Sequence, residues 1–296
     1  MDLHKYISID TLKKIIGGSI RFTQPGAFND PFELVPELHS PGTDSTNLNI
    51  NFDLQAPRRN PPIGELPDDF RSEFCSDFNS RKIVQELNKS VGILCLTQTY
   101  NSLLMWSHYA DEYRGAIVTF NKEHEFFKGL IEIDYRENRP KKDISAYLSD
   151  AEPVPISELC IKPKDWQYES EVRVIRSLND CKKVVDDENY PIYVKDIPNE
   201  CIKSVTLGER TPVAQQREIF DLIKETNVSL FLSAVANWHY QFRDELIKYN
   251  LPMSEISPVI SPRTAHIFSE WDNDLGESAR WMLKNHKYSE IVNETL

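Results

Sequence analysis

The sequence lacks an excess of positive charge and any long hydrophobic run. Its 34 Lys and Arg residues are outnumbered by 46 Asp and Glu residues, giving a formal net charge of −12. Non-specific nucleic-acid binding depends on basic side chains that release counterions from phosphates, so nucleic acid is not an expected partner. No run approaches the roughly 18 apolar residues of a membrane-spanning helix, and residues 1–10 lack the apolar core of a signal peptide, so we expect no membrane association.

Paired cysteines and the common catalytic motifs are also missing. The five cysteines form no CxxC pair and their number is odd, so we expect neither a disulfide framework nor a zinc ribbon. The lack of a disulfide framework favours a cytoplasmic location. The patterns GxxxxGK[ST], GxGxxG, HExxH and GxSxG do not occur. Their absence excludes the usual signatures of P-loop nucleotide hydrolases, dinucleotide-binding folds, zinc proteases and serine hydrolases. We predict no metal cofactor.

Hydrophobic periodicity predicts many strands that are separated by helices of unequal length. This pattern favours an α+β fold with a mixed, mainly antiparallel central sheet. Residues 140–164 are polar and predict helix and loop, and Thr211 is the predicted cap of the last well-signalled helix. Strands are predicted at 4–7, 19–23, 91–97, 116–120, 130–135, 171–175, 201–208, 228–235 and 238–246, and helices at 8–16, 68–89, 102–113 and 211–225.

Two segments differ from this core in composition. Residues 36–67 contain six prolines and predict an irregular, mobile insertion. Residues 251–296 begin with several prolines and then predict a helical C-terminal extension. We therefore expect a core domain at 1–250, interrupted by the Pro-rich insertion, followed by the extension.

The first of three unusual polar motifs is FNDPFE, which spans Phe28 to Glu33. Asp before Pro favours a turn, because the side chain bonds its own backbone and proline restricts the preceding residue. One interpretation is a turn closed by Asp30. The other is a rigid turn that presents Asn29, Asp30 or Glu33 to a ligand.

The second motif is MWSHYADEYRG, which spans Met105 to Gly115. On a helix, Trp106, Tyr109 and Tyr113 share a face, and His108 lies near Asp111. His108 is either a structural group or a general base. Arg114 either favours the negative end of the helix or holds a phosphate.

The third motif is WQYESEVRVIR, which spans Trp166 to Arg176. On a strand, Glu169, Glu171 and Arg173 share one face, and three adjacent charges are costly to bury unless they are paired or used. One interpretation is an internal ion-pair network. The other is a functional carboxylate pair in which Arg173 keeps Glu171 ionised.

These motifs, in this order, resemble a bacterial and phage-associated family of domains of unknown function, the family numbered 2971. The residues that carry the resemblance are the KY near the start, FNDPFE, MWSHYAD…RG with the AIVTF strand, K…WQYESEVRVI and SVTLGER. The similarity runs from about residue 3 to about residue 246.

The layout also resembles ADP-ribosyltransferases, on the basis of His4-x-Tyr6 on a first strand and a late Glu-x-Glu. The resemblance implies NAD as the substrate, with Glu171 steadying a sugar cation and Glu169 as its upstream partner. From the second motif we also expect His108 to be a catalytic residue. Aromatic and polar residues of the three motifs and of the first strand then bind the nucleotide. These expected substrate-binding residues are His4, Tyr6, Asn29, Asp30, Trp106, Tyr109, Arg114, Trp166 and Arg173.

Three functions remain open from the sequence. The first is an ADP-ribosyltransferase-like or NAD-cleaving enzyme, which as a toxin or anti-phage effector implies a protein or antitoxin partner. The second is a non-catalytic sensor of a nucleotide or phage product. The third is a nuclease or hydrolase that holds magnesium with Asp30, Glu33, Glu169 and Glu171. For any of them we predict that Asp30, His108 and Glu171 line one cavity.

Overall fold

The computed structural model describes residues 2–39, 51–57, 78–143, 147, 153–186 and 190–289. The helices, numbered along the chain, are α1 (Ile9–Ile16), α2 (Phe78–Ser90), α3 (Leu103–Tyr109), α4 (Val213–Ile223), α5 (Ala265–Phe268) and α6 (Asp274–Asn285). The strands are β1 (Leu3–Ile7), β2 (Ser19–Phe22), β3 (Glu37–His39), β4 (Phe52–Asp53), β5 (Val91–Thr97), β6 (Ala116–Phe120), β7 (Ile131–Glu132), β8 (Asp134–Arg136), β9 (Lys141–Asp143), β10 (Val154–Pro155), β11 (Ile161–Pro163), β12 (Glu171–Ser177), β13 (Lys182–Val185), β14 (Ile192–Asp196), β15 (Ile202–Leu207), β16 (Ser229–Val235) and β17 (Phe242–Lys248).

The chain divides into two compact units, and each unit collects separate stretches of sequence. The first unit contains Met1–Ser19, Thr97–Phe126 and Asp196–Leu296, and the second contains Ile20–Leu96 and Phe127–Lys195. The breaks between these units lie near residues 20, 97, 127 and 196. The boundary predicted from the sequence lies at residue 250.

A sheet with the strand order β17-β16-β15-β6-β1 forms the centre of the first unit. Its neighbouring strands are antiparallel except for β15 and β16, which run parallel. At the other edge of β1, His4 pairs with Thr97 at the end of β5. The predicted α+β class with a mixed, mainly antiparallel sheet is therefore confirmed.

Helices pack against the first unit's sheet, α1 against β6 and α3 against β1, because their apolar residues recur every three or four positions. The buried face of α1 carries Ile9, Leu12 and Ile15, and Ser8 caps the helix as predicted by accepting a bond from Thr11 N. The C-terminal segment packs in the same unit, where Phe268 of α5 lies edge-on to Phe220 of α4. None of the described helices has the length and apolar character needed to cross a membrane.

In the second unit, β12 lies between β5 and β7 and runs antiparallel to β7. Three short parallel pairs accompany it: β3 with β9, β4 with β10, and β8 with β11. A core of aliphatic side chains, among them Ile83 and Leu87 of α2 and Ile93 of β5, fills this unit. Those residues fix α2 against the strands that carry the charged motif residues described below.

Several local predictions were wrong. The strand predicted at 130–135 is split into β7 and β8, and residues 140–164 contain β9, β10 and β11 where helix and loop were predicted, because pairing with distant strands outweighs their polar composition. The cap of α4 is Pro212, not Thr211, whose hydroxyl instead donates to the Arg114 and Gly115 carbonyls.

The structure describes two parts of the predicted Pro-rich insertion, 36–39 and 51–57. They contain β3 and β4, which are paired strands and not irregular chain. The remainder of that segment lies outside the described residues. So do residues 68–77 of the helix predicted at 68–89, and the side chain of Phe78.

Candidate functional site

Five charged side chains of the second unit meet in its interior, and we call them the charge cluster. Each is at most 8% exposed, and Arg173 is fully buried. The charge cluster consists of Glu33, Lys162, Glu169, Glu171 and Arg173.

Local structure brings these residues together from four segments. On β12, the period of two places Glu171 and Arg173 on the same side, as predicted. The prediction that Glu169 lies on the same strand was wrong, because Glu169 ends a short 3-10 helix and the next residue, Ser170, has a left-handed φ of 43°. Lys162 lies on β11, and Glu33 follows the Asp30 turn. The Phe28 ring of that turn lies 5.6 Å from the Arg173 guanidinium, an attractive cation–π arrangement.

The two cations of the charge cluster each contact more than one carboxylate. Arg173 Nε donates to Glu171 Oε1 at 2.7 Å, and its Nη2 lies 2.7 Å from Glu33 Oε1, although the alignment falls short of a hydrogen bond. Lys162 Nζ lies 2.6 Å from Glu171 Oε2 and 2.8 Å from Glu169 Oε2. Both oxygens of Glu171 are therefore occupied by cations of the protein.

The pKa values of two glutamates in the charge cluster move in opposite directions. Burial alone would raise the pKa of Glu171, but Arg173 and Lys162 outweigh burial and lower it to about 2. For Glu33, burial outweighs the same two cations and raises the pKa. Glu171 is thus firmly ionised, whereas Glu33 is the carboxyl that holds a proton more readily.

A cleft of about 240 Å³ opens beside Glu33 in the second unit. One wall is the FNDPFE turn with Asp30 and Glu33, and the other is α2 with Arg81, Gln85 and Asn88. Asp30 Oδ1 accepts a bond from Phe32 N at 2.9 Å, as the Asx-turn interpretation predicts. Its Oδ2 is buried and has no hydrogen-bond partner within the described part of the chain. Asp30 therefore closes the turn, as the first interpretation of this motif predicts. That the turn presents Asp30 to a ligand stays a prediction.

The other predicted residues of the second unit differ in their exposure. Asn29 is exposed at the tip of the turn. Trp166 is half-buried, and its ring lies 5.7 Å from Lys162 Nζ. Lys162 was missed as a site residue, although a lysine preceding WQYESEVRVI was part of the family resemblance.

The remaining predicted site residues lie in the first unit. His4 and Tyr6 are buried on β1, where His4 Nδ1 shares a 3.1 Å hydrogen bond with Thr119 Oγ1. Trp106 is buried edge-on to Tyr6, while His108 is exposed. Tyr109 is half-buried with its ring 6.2 Å from that of His108, and Arg114 is about half exposed and pairs with Asp111 and Glu112. The convergence of Asp30, His108 and Glu171 on one cavity stays a prediction.

Sequence reasoning also missed a polar group in the first unit, which we call the hydroxyl network. Tyr100 Oη donates to Asp244 Oδ2 at 2.5 Å and lies 3.1 Å from Thr206 Oγ1. The His4 ring lies 5.1 Å from the Tyr100 ring and connects it to Thr119. The hydroxyl network consists of His4, Tyr100, Thr119, Thr206 and Asp244.

The helix predicted at 102–113 ends at Tyr109, and a left-handed turn replaces its last part. Asp111, Glu112 and Tyr113 have φ values of 47°, 51° and 72°, a conformation that costs free energy for residues other than glycine. Arg210 N donates to the Tyr113 carbonyl at 3.0 Å and holds the turn in place. A side chain at Gly208 would collide with the same carbonyl. Tyr113 is therefore not on the helix face predicted for it.

The predicted magnesium site is not favoured by this geometry. Lys162 Nζ already lies among Glu33, Glu169 and Glu171, three of the four proposed ligands. Over the residues described, no group of three or more His, Cys, Asp or Glu side chains is arranged to hold a metal ion.

Comparison with protein families gives one match. The model of a protein family of unknown function, DUF2971, matches residues 105–174, a segment that contains both the MWSHYADEYRG motif and WQYESEVRV. The predicted resemblance to this family is thereby confirmed over these residues. Among curated proteins and solved structures, none matches the chain at a significant level.

Proposed function

We propose, for a chain that carries the DUF2971 signature, that the second unit binds one end of a cytoplasmic nucleotide such as NAD in the cleft between the Asp30 turn and α2. The observation that carries this proposal is that Asp30 lines the cleft and that its buried Oδ2 has no hydrogen-bond partner among the described residues. A buried acceptor without a partner costs about 1–3 kcal/mol, and a ligand N–H or O–H that reaches it recovers that free energy. The empty acceptor therefore favours a ligand rich in hydrogen-bond donors.

The size of the cleft limits what can enter it. A volume of about 240 Å³ is smaller than the roughly 300–1,000 Å³ of pockets that enclose drug-sized molecules. A base, a nicotinamide ring or a ribose fits this volume, whereas a whole dinucleotide does not. The remainder of a nucleotide would extend into solvent past Asn88 and Tyr190, which also line the cleft.

Calorimetric titration with NAD, ADP-ribose, nicotinamide and ATP tests this proposal. We expect one or more of these compounds to bind, and Asp30→Asn to weaken that binding about 10-fold, since a good hydrogen bond contributes about 1.4 kcal/mol. Asn can still accept the bond from Phe32 N, so the turn and the melting temperature should be preserved. The exposed Glu137→Gln in the same unit is the matched control. No binding by any of the four compounds, or equal binding by Asp30→Asn, would contradict the proposal.

Cleavage of NAD, with transfer of ADP-ribose, is the second candidate function. It is favoured by the presence of Asp30 on the cleft wall, because a carboxylate stabilises the positive charge that a sugar develops in the transition state. Under this proposal Asp30 and Glu33 contact the nucleotide. Glu171, whose oxygens are both bound by cations, positions Arg173 and through it Glu33.

Release of nicotinamide from NAD separates these two candidates. An enzyme should release nicotinamide without added divalent metal, and Asp30→Asn should slow the release about 100-fold or more, as expected for the loss of one preorganised electrostatic contact. NAD that binds but stays intact would identify a sensor instead. Growth arrest of cells that express the active protein, but not the Asp30→Asn variant, would support a toxin or defence role.

A further inference from the structure

Two carboxyl groups line the cleft, and their surroundings give them different hydrogen-bonding roles. Asp30 Oδ2 is an acceptor that no described residue satisfies. Glu33 belongs to the charge cluster, so its protonation depends on the charges around it. The ligand that fits the cleft is the one whose groups match both roles.

Charge balance in the cluster assigns a proton to Glu33. Two cations, Lys162 and Arg173, face three carboxyl groups, and Glu171 and Glu169 hold the closest contacts to Lys162. Two positive and two negative charges cancel, which leaves Glu33 as the third carboxyl at 4% exposure. A buried net charge is costly, so the neutral acid is the favoured form of Glu33.

The geometry around Glu33 agrees with a neutral acid. Its Oε1 lies 2.7 Å from Arg173 Nη2, while its Oε2 lies 3.7 Å from Lys162 Nζ, beyond hydrogen-bond distance. The oxygen without a close cation is the one that carries the proton. Glu33 is then a hydrogen-bond donor on the same wall as the Asp30 acceptor.

We propose that this wall recognises a planar amide edge, with Asp30 Oδ2 accepting from the ligand N–H and the Glu33 carboxylic acid donating to the ligand C=O. The carboxamide of a nicotinamide ring and the lactam edge of an oxo-substituted nucleobase both present this pair of groups. A ligand carboxylate at the same place would face the Asp30 carboxylate and be repelled. This inference rests on the proposed nucleotide-binding function and names the part of the nucleotide that is read.

Calorimetry with matched ligands tests the amide edge. We expect NAD to bind at least about 10-fold more tightly than its analogue in which the nicotinamide carboxamide is a carboxylate. If the lactam edge of a base is the natural ligand, GMP and UMP should bind more tightly than NAD, and AMP, which lacks a lactam, should not bind. Equal binding of NAD and the carboxylate analogue would overturn the inference while leaving the proposed function standing. Failure of all these ligands would overturn both.

Two variants of Glu33 distinguish a donor from a structural charge. Glu33→Gln keeps an N–H donor beside the Asp30 acceptor and should retain the affinity within about 3-fold, whereas Glu33→Leu removes the donor and should lose about 10-fold or more. Melting temperatures of both variants report whether the fold is kept. A folded Glu33→Gln variant that loses binding as severely as Glu33→Leu would show that the negative charge of Glu33 matters, and would overturn the inference.

Discussion

The charge cluster of the second unit and the hydroxyl network of the first unit are both buried polar groups, but they are satisfied in different ways. In the charge cluster, Lys162 and Arg173 keep Glu171 ionised against the effect of burial. In the hydroxyl network, burial lowers the pKa of His4 and raises the pKa of Asp244, so both move toward their uncharged forms. The two groups differ because the charge cluster contains buried cations. Their attraction for the Glu171 carboxylate outweighs the loss of hydration on burial.

This comparison also separates two kinds of cost. Removing one partner from an ion network leaves an uncompensated charge in the interior. Removing one partner from a network of hydroxyl groups leaves only an uncharged polar group without its hydrogen bond. Substitutions in the charge cluster should therefore have the larger effects on stability. The following predictions test this order, from the largest expected effect to the smallest.

Arg173→Met should be the most destabilising single change. The methionine keeps part of the apolar stem but leaves Glu171 and Glu33 without the guanidinium that they share. We expect the free energy of unfolding to fall by about 3–5 kcal/mol, measured by urea titration. The exposed Arg136→Met in the same unit is the control and should change stability little. A loss below about 1 kcal/mol at position 173 would refute the idea that the charge cluster is tightly coupled.

Glu171→Gln should lower stability by about 3 kcal/mol, because Arg173 and Lys162 then lose the carboxylate that contacts both. Since the folded-state pKa of about 2 lies below the ordinary value of 4.5, the contribution of Glu171 is present above pH 4.5 and lost as the pH falls toward 2. Urea titrations across this window should show a flatter profile for Glu171→Gln than for the wild type. If the variant melts like the wild type but is inactive toward NAD, Glu171 has a catalytic role and not the positioning role proposed here.

The first unit should lose stability in a different pH window because of His266. Burial, helped by Arg217 and Arg263, lowers the pKa of this histidine from 6.5 to about 4. The unfolded chain then binds the proton more readily, so stability is complete above pH 6.5 and falls as the pH drops toward 4, with a loss of about 2 kcal/mol at pH 5. His266→Gln should flatten this part of the profile, and the exposed His239→Gln should not. An unchanged profile in His266→Gln would show that another group titrates there.

Tyr100→Phe should have the smallest of these effects. The change removes one hydroxyl group, which donates to Asp244 and contacts Thr206, while the ring is kept. We expect a loss of about 1 kcal/mol in the free energy of unfolding. Tyr240, which is 99% exposed, provides the matched Tyr→Phe control. A loss for Tyr100→Phe as large as that for Arg173→Met would remove the distinction between the two networks.

Local patterns in the sequence were sufficient to predict many elements of the fold. The strand at 171–175 follows from the alternation of charged and apolar residues, and the turn at Asp30 follows from the Asp-Pro pair. The end of α3 could not be predicted in the same way. Nothing in the residue types of Asp111, Glu112 and Tyr113 reveals that Arg210 N, from a distant segment, fixes their left-handed turn.

The candidate site was predicted in part for a similar reason. The period of a strand placed Glu171 beside Arg173, so an ion pair could be predicted from the sequence. The approach of Lys162 and Glu33 depends on the pairing of β11 with β8 and on the turn at Asp30. Such contacts between segments arise from tertiary packing, which periodicity does not encode.

The left-handed turn of the first unit has a consequence for protein engineering. Tyr113 accepts from Arg210, the Gly115 carbonyl accepts from Gly208 N at 2.8 Å, and neither glycine has space for a side chain. The segments DEYRG and LGERT therefore pack closely, backbone against backbone, although about ninety residues separate them. In chimaeras between this chain and a relative, exchange of one segment alone should give insoluble protein, while exchange of both together should preserve expression.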